Sequence, residues 1–400
     1  MIDNFEKTIY NNRKAGGNML KFSELCIERP LGTKGNHEVL KLLYNEFNTL
    51  KYNIIELPLN CIVWESNNSF VEQNNNKIEI FPSPFSRNLK GNFLLKYVST
   101  FTELSNIKNY DGILIFVNEL SKNSVMAKNY PFYFPDEDKL LYETFEKINP
   151  KGIITISGQD QASGLNPFPV FEDVNLEIPT AYVSSLGNIT EKNEISIEIN
   201  SKIYKEKSKQ LIFRKEGLSK DIILIAAHMD SKYNTCGAND NAAGLYTLYE
   251  TTNLIKDKKY NYTVEIVPFN GEESPEASGE LAYLNYLEEN SYKIKSVINI
   301  DGPGHIGSKN MFSFFNYEQD IQNEIVTINN LLEGEQWYSG DHVIFAFQNI
   351  SCIAITSSDM FTDSIKLTHT KMDKEEIVDI KLLSALSKSI VNILEIINGK

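Results

Sequence analysis

Two neighbouring stretches, His228-Met229-Asp230 and Gly237-Ala238-Asn239-Asp240-Asn241, bring an imidazole and two carboxylates close together in the chain. That mixture of nitrogen and oxygen donors suits a zinc-like divalent cation. Three later stretches add donors of the same kind: Asn270-Gly271-Glu272-Glu273, Asp301-Gly302-Pro303-Gly304 and His369-Thr370-Lys371-Met372-Asp373. Two four-coordinate metals need about eight ligand positions. His228 and His369 offer nitrogen, Glu273 and Asp301 offer terminal carboxylates, and Asp240 can bridge through both oxygens. Glu272 is then left as a carboxylate next door, where a general base belongs. Paired metals about 3.5–4 Å apart share one water and lower its pKa towards about 7. Singly, each residue has a commonplace explanation: a hydrogen-bonded structural histidine, a solvated Glu-Glu pair, or turn chemistry before Gly-Pro-Gly. Their ordered recurrence after successive apolar runs is what points to chemistry.

Those apolar runs are the elements that must position the donors. Ile222–Ala227 reads as a buried parallel strand, and Ala242–Ile255 as the helix after it. Strand Tyr262–Phe269, helix Glu276–Glu289, strand Ser296–Ile300, helix Gln319–Leu332, strand Cys352–Thr356 and a long final helix, Glu375–Ile397, continue the alternation. The pattern predicts an α/β fold, a central mixed, mostly parallel sheet flanked by helices. In such sheets ligands sit beyond the carboxyl ends of the strands, so three strands deliver carboxylates to one rim.

Nearer the amino terminus, His37–Leu50 has helical spacing, with Lys34-Gly35-Asn36 as its start, and Tyr52–Leu59 reads as a strand. The polar, asparagine-rich stretch from about Phe70 to Pro84 reads as a surface connection. From about Lys77 to Asn200 short β-like runs follow, at Gly112–Val117, Gly152–Ile156 and Glu194–Ile199, with a helix at Asp136–Ile148. We expect a β-rich domain at residues 76–195, inserted into a discontinuous metal-bearing domain of residues 1–75 and 196–400.

The chain has 400 residues, too many for one ordinary domain, and its 42% hydrophobic and 23% charged content is ordinary globular material. A net charge of −14 argues against a nucleic-acid partner, which needs a basic surface. The four cysteines, Cys26, Cys61, Cys236 and Cys352, lack metal-site spacing. The start, Met1-Ile2-Asp3-Asn4-Phe5-Glu6-Lys7, has no apolar leader core, and no stretch approaches 18 apolar residues. No membrane partner and a cytoplasmic location are therefore expected; oligomeric state is not legible.

In order and spacing, His228-Met229-Asp230-Ser231, Gly237 to Gly244, Gly271-Glu272-Glu273, Asn299-Ile300-Asp301 and His369 to Asp373 resemble the co-catalytic di-zinc aminopeptidases of the aminopeptidase Y type. That family also holds glutamate carboxypeptidases and, as inactive relatives, transferrin receptors. Weaker likeness at Arg29-Pro30-Leu31-Gly32-Thr33 and Gly340-Asp341-His342 extends the resemblance over most of residues 25–65 and 195–400. The resemblance implies a zinc-dependent exopeptidase fold with two zinc ions and a peptide substrate. His228 and Asp301 would bind one zinc, Glu273 and His369 the other, with Asp240 bridging. Glu272 would take the proton from the attacking water and pass it to the leaving amine, while Asp230 would orient His228. Around Tyr110 to Phe116 and Gly152-Ile153-Ile154 the inserted region resembles a protease-associated domain, which tends to border the cleft.

Some positions depart from the family pattern. Many members carry a tyrosine that stabilises the oxyanion where this chain has Thr368, and Ser274-Pro275-Glu276 replaces a glycine-rich turn. His305 either reaches the cleft or plays a structural part. Specificity loops are expected at Asn310–Tyr317, Trp337–His342 and Ser357–Lys366. The leading expectation is a metalloaminopeptidase. A carboxypeptidase, a single-zinc glutaminyl cyclase and an inactive scaffold remain as alternatives.

Overall fold

The computed structural model describes residues 20–128, 130–157, 166–328 and 331–399. The segment Met1 to Lys7, discussed above for its lack of a leader core, lies outside the described residues. In chain order the first elements are helix α1 (Lys34–Thr49) and strands β1 (Asn53–Ser66), β2 (Ser69–Gln73), β3 (Asn76–Pro82), β4 (Leu89–Phe93) and β5 (Leu95–Val98). Next come α2 (Phe101–Ser105), β6 (Ile113–Phe116), α3 (Asp136–Ile148), β7 (Gly152–Ile156), β8 (Thr180–Val183) and β9 (Ile195–Ile199). The long β10 (Ser201–Lys215), β11 (Ile222–His228), α4 (Ala243–Ile255), β12 (Thr263–Phe269), α5 (Ser278–Glu289) and β13 (Ile294–Ile300) follow. Last are β14 (Asn310–Phe315), α6 (Gln319–Ile325), β15 (Leu332–Glu333), α7 (Val343–Ala346), β16 (Ser351–Ser357) and α8 (Ile380–Asn398).

Two eight-stranded sheets result. The first has the order β1-β10-β12-β11-β13-β16-β14-β15. Its centre, β12-β11-β13-β16, is parallel, whereas β1, β10 and β14 join antiparallel. The expected mixed, mostly parallel sheet flanked by helices is what forms. Because strand side chains alternate, Ile223, Ile225 and Ala227 pack on one face under α1, α4 and α8. Ile222, Leu224 and Ala226 pack on the other, with Tyr283, Leu287 and Phe345. A strand covered on both faces has no polar side to show, which is why these runs are continuously apolar. Each fully buried Ile or Leu contributes about 1.5–3 kcal/mol, so the strand ends are fixed by a stiff core.

The second sheet takes its strands from residues 69–199, in the order β4-β9-β2-β3-β8-β7-β6-β5. Helix α3 covers one face, where Leu141, Tyr142, Phe145 and Ile148 meet Leu114, Phe116 and Ile153. The chain leaves the first sheet at the end of β1 and returns at the start of β10, side by side, Asn67 N–H donating to Asn200 O at 2.9 Å.

Four elements differ from expectation. Phe70–Pro84 is no loose connection but the β2–β3 hairpin, turning on Asn74 and Asn75 at φ 53° and 64°. Two positive φ values are what a tight type I′ turn requires, and asparagine tolerates them. Asn310–Tyr317 is mainly strand β14, paired antiparallel with β16, so it does not act as a free loop. The helix expected to reach Leu332 ends at Ile325, and Leu332–Glu333 instead pairs with Met311–Phe312. The last helix starts at Ile380, after a short turn at Glu375–Ile377, because Val378 is extended and the Asp379 carboxylate caps Lys381 N–H. Among the described residues no helix is long and apolar enough to cross a membrane.

Candidate metal centre

The carboxyl ends of β11, β12 and β13 lie side by side, since β11 has β12 on one flank and β13 on the other. The first ends on His228, the second runs into Asn270-Gly271-Glu272-Glu273, and the third into Asp301. The loop after β11 turns back at Gly237, whose φ of +52° and close approach to Asp240 O leave no room for a side chain. Asp240 thereby reaches the same point. His369, at φ +61°, arrives from the far end of the chain.

All five expected donors converge. His228 Nε2 lies 2.9 Å from Asp240 Oδ1 and 3.5 Å from Asp301 Oδ1. His369 Nε2 lies 3.1 Å from Asp240 Oδ2 and 3.0 Å from Glu273 Oε1. Asp240 thus turns one oxygen to each histidine. Ligand-type atoms of His228, Asp240 and Asp301 fall within 4.8 Å of one another, as do those of Asp240, Glu273 and His369. Glu272 belongs to a third such group, with His228 and Glu273.

The hydrogen bonds decide what this cluster accepts. His228 Nδ1 faces Asp230 O at 3.1 Å, and His369 Nδ1 faces Pro167 O at 3.1 Å. A carbonyl oxygen only accepts, so each Nδ1 carries the proton and each Nε2 turns a lone pair towards carboxylates. Asp301 Oδ1 and Glu273 Oε1 are buried without a hydrogen-bond partner. Lone pairs facing lone pairs in a buried site need positive charge between them. Protons are one answer: burial disfavours the imidazolium, yet Glu272, Asp240 and Asp301 hold His228 well above its usual pKa. Glu273 and Asp240 do the same to His369. Divalent metal is the other answer, and histidine with carboxylate suits zinc.

Around the donors, buried groups hold the loops. Both carboxylate oxygens of Asp373 accept backbone N–H, from Asn239 at 2.6 Å and Asp240 at 3.1 Å. Arg29, wholly buried, donates to the carbonyls of Met229, Leu25, Ile27, Cys236 and Gly237. The carboxylate of Asp230 is 3.9 Å from His228 Nδ1 and instead accepts N–H from Gly271 and Glu273. Asp230 therefore meets the imidazole through its backbone carbonyl and steadies the Glu272–Glu273 loop with its side chain. Burial raises its pKa to about 6.

Glu272 is also held well above the usual carboxylate range, first by burial and then by Glu273, Asp301 and Asp240. Behind it, Glu280 and Asp341 are buried, and burial lifts Glu280 to about 7. The phenol of Tyr130, from the second sheet's part of the chain, is raised by burial and by Glu280, Glu272 and Asp341, so it stays a neutral donor facing this acidic cluster. Thr368 spends its hydroxyl on Ser364 O at 3.2 Å, within its own turn. His305 is buried, its Nδ1 2.6 Å from Asp359 Oδ2.

Sequence reasoning missed Lys232, Pro167 and the role of Arg29. Lys232 Nζ lies 3.0 Å from Glu172 Oε2, 2.8 Å from Glu273 O and 3.4 Å from Glu273 Oε2. Burial works against its charge, but Glu172 and Glu273 outweigh that and keep it an ammonium. A lysine two residues after Asp230 was the only local signal; its partner Glu172 lies in another sheet's loops.

The first sheet carries its histidine and carboxylate donors on the rim formed by the carboxyl ends of its strands. Residues 211–394 match the family model described as Peptidase family M28. Among solved structures, an aminopeptidase from Aneurinibacillus sp. strain AM-1 is similar at TM-score 0.71 and 17% identity, over 94% of this chain and 91% of that one. A zinc aminopeptidase from Bacillus subtilis gives 0.71 at 16% identity, over 94% and 92%. A Peptidase M28 precursor from Shewanella amazonensis gives 0.67 at 15% identity, over 95% and 92%. At these identities the likeness shows a shared fold. No curated protein matches the chain.

Proposed function

We propose that this chain is a family M28 zinc exopeptidase, an aminopeptidase that removes N-terminal residues from peptides. One observation carries the reading: Asp240 turns Oδ1 to His228 and Oδ2 to His369, at 2.9 and 3.1 Å, as a bridging ligand must. The family match over residues 211–394 and the fold shared with zinc aminopeptidases support it. Two zinc ions would be held by His228 and Asp301 on one side and Glu273 and His369 on the other, with Asp240 common to both. When bound, such a pair acidifies a shared water and draws charge from the carbonyl under attack.

The chain's own residues do the rest. Glu272 receives the proton of the attacking water and returns it to the departing amine, with its raised pKa suiting it to exchange near neutrality. The cationic amino terminus of a peptide meets Glu272 and Asp301. Tyr130 supplies a phenolic donor towards the developing oxyanion, the part Thr368 does not play. The second sheet acts as a protease-associated-like border to the cleft, with Pro167 and Phe168 against His369.

The experiment is a substrate panel on zinc-loaded protein: aminoacyl anilides, amino-blocked peptides and N-terminal glutaminyl peptides, with metal analysis alongside. Cleavage only of substrates with a free amino terminus, at two zinc ions per chain, is expected. Turnover of blocked peptides from the carboxyl end, cyclisation of glutamine at one zinc, or complete inertness would each replace this reading.

A further inference from the structure

Residues 166–173 belong by packing to the second sheet. Val170 and Phe171 are buried in its core, the Phe171 ring 5.8 Å from Phe145 and 6.1 Å from Phe116. Val170 O accepts Val125 N–H at 2.8 Å, and Asp173 accepts the N–H of Lys128 and Asn175, both at 2.7 Å. The loop is thus pinned from below by two large side chains and a buried carboxylate. Its other side touches the metal centre at two points. Pro167 O accepts His369 Nδ1–H at 3.1 Å, and the Phe168 ring lies 4.9 Å from the same imidazole. Glu172 holds Lys232, which in turn holds both the backbone and the carboxylate of Glu273.

Both points fall on the same half of the centre. His369 and Glu273 are the two donors proposed for one metal. The other half is built from the first sheet alone: His228 is oriented by Asp230 O, and Asp301 follows directly from β13. We infer that the 166–173 loop is part of the metal centre, setting the affinity of the Glu273–His369 position while leaving the His228–Asp301 position to the first sheet. The inference rests on the two-metal reading above.

The physical route is short. Pro167 O fixes the His369 proton on Nδ1, which leaves Nε2 free to bind metal and holds the ring in line. Lys232 is a cation beside a ligand, and a cation there competes with the metal for Glu273. Glu172 shares that charge at 3.0 Å, against 3.4 Å from Lys232 to Glu273 Oε2. Take Glu172 away and the ammonium bears on Glu273 alone. Glu172 and Pro167 are positioning groups and touch no substrate.

The test titrates zinc into apoprotein and reads each binding step by calorimetry. Wild type should take two zinc ions per chain, and Glu172→Gln should weaken one step about 10–100-fold, the usual effect of such a partner, with the other step unchanged. In a His369→Ala background, which lacks that position, Glu172→Gln should leave the remaining step where it was. Phe168→Ala, at a half-exposed ring, should weaken the same step and serves if Glu172→Gln does not fold. Two steps at wild-type affinity in both variants overturn the inference, as does equal weakening of both steps. A wild-type chain that binds fewer than two zinc ions overturns the two-metal reading, and this inference with it.

Discussion

Glu272→Gln separates chemistry from metal binding. Among the described residues the Glu272 carboxylate makes no hydrogen bond or ion pair, so an amide of the same shape strands no partner. In the metal-free protein burial already favours the neutral acid, and exchanging one neutral group for another should barely move the melting temperature. His228, Asp240, Glu273, Asp301 and His369 are untouched, so two zinc ions should still bind. The proton transfer is what disappears. General bases contribute about 10²–10⁴-fold, or about 2.7–5.4 kcal/mol of barrier. The assay is kcat on an aminoacyl anilide with zinc content measured on the same sample. A fall of at least about 100-fold in kcat at unchanged zinc content is expected. A variant with two zinc ions and more than a tenth of wild-type turnover would falsify the role given to Glu272.

Other expectations follow from the same geometry. His369→Ala should lower the zinc content from two ions per chain to one, since Glu273 and Asp240 lose their nitrogen partner; an unchanged metal content would remove His369 from the ligand set. Tyr130→Phe should cost about 10²-fold in kcat with KM little changed, as loss of an oxyanion donor does; equal activity would return the search for that donor to other groups. His342, buried and donating to Trp337 O, has its pKa lowered to about 4 by burial. The unfolded chain, with a histidine near 6.5, then binds more protons between these values. The native state therefore holds its full advantage above about pH 6.5 and loses about 2 kcal/mol of it by pH 5. Urea midpoints at both pH values, compared with His342→Asn, measure this, and an equal slope in the variant would assign the loss elsewhere.

How far the molecule is legible in its sequence depends on how local each cause is. β11 is covered on both faces, so Ile222 to Ala227 is an unbroken apolar run, and the buried stretches of β12, β13 and β16 are largely apolar for the same reason. β10 hides because its exposed half, Tyr204 to Lys209, alternates charged and polar residues on an open edge. The β2–β3 hairpin hides because its Asn74-Asn75 turn has the composition of a loop. His228, Asp240, Glu273 and Asp301 are legible because each sits at a strand end or just after a glycine turn, and His369 because it adds the second imidazole late in the chain. Lys232, Glu172, Pro167 and Arg29 are not, since their contacts join residues that the chain keeps far apart. Asp230 shows the limit within a motif: its letter implies an orienting carboxylate, but the fold turns that carboxylate to Gly271 and Glu273.

The buried guanidinium of Arg29 bears on the order of assembly. Five carbonyls converge on it from the amino-terminal segment and from the loop before Asp240, and Asp373 ties the amides of Asn239 and Asp240. None of these bonds involves a metal. The cage therefore stands before its contents arrive, unlike small metallodomains that fold only around their metal. Chelated protein should keep its secondary structure and regain activity on adding zinc, without a refolding step.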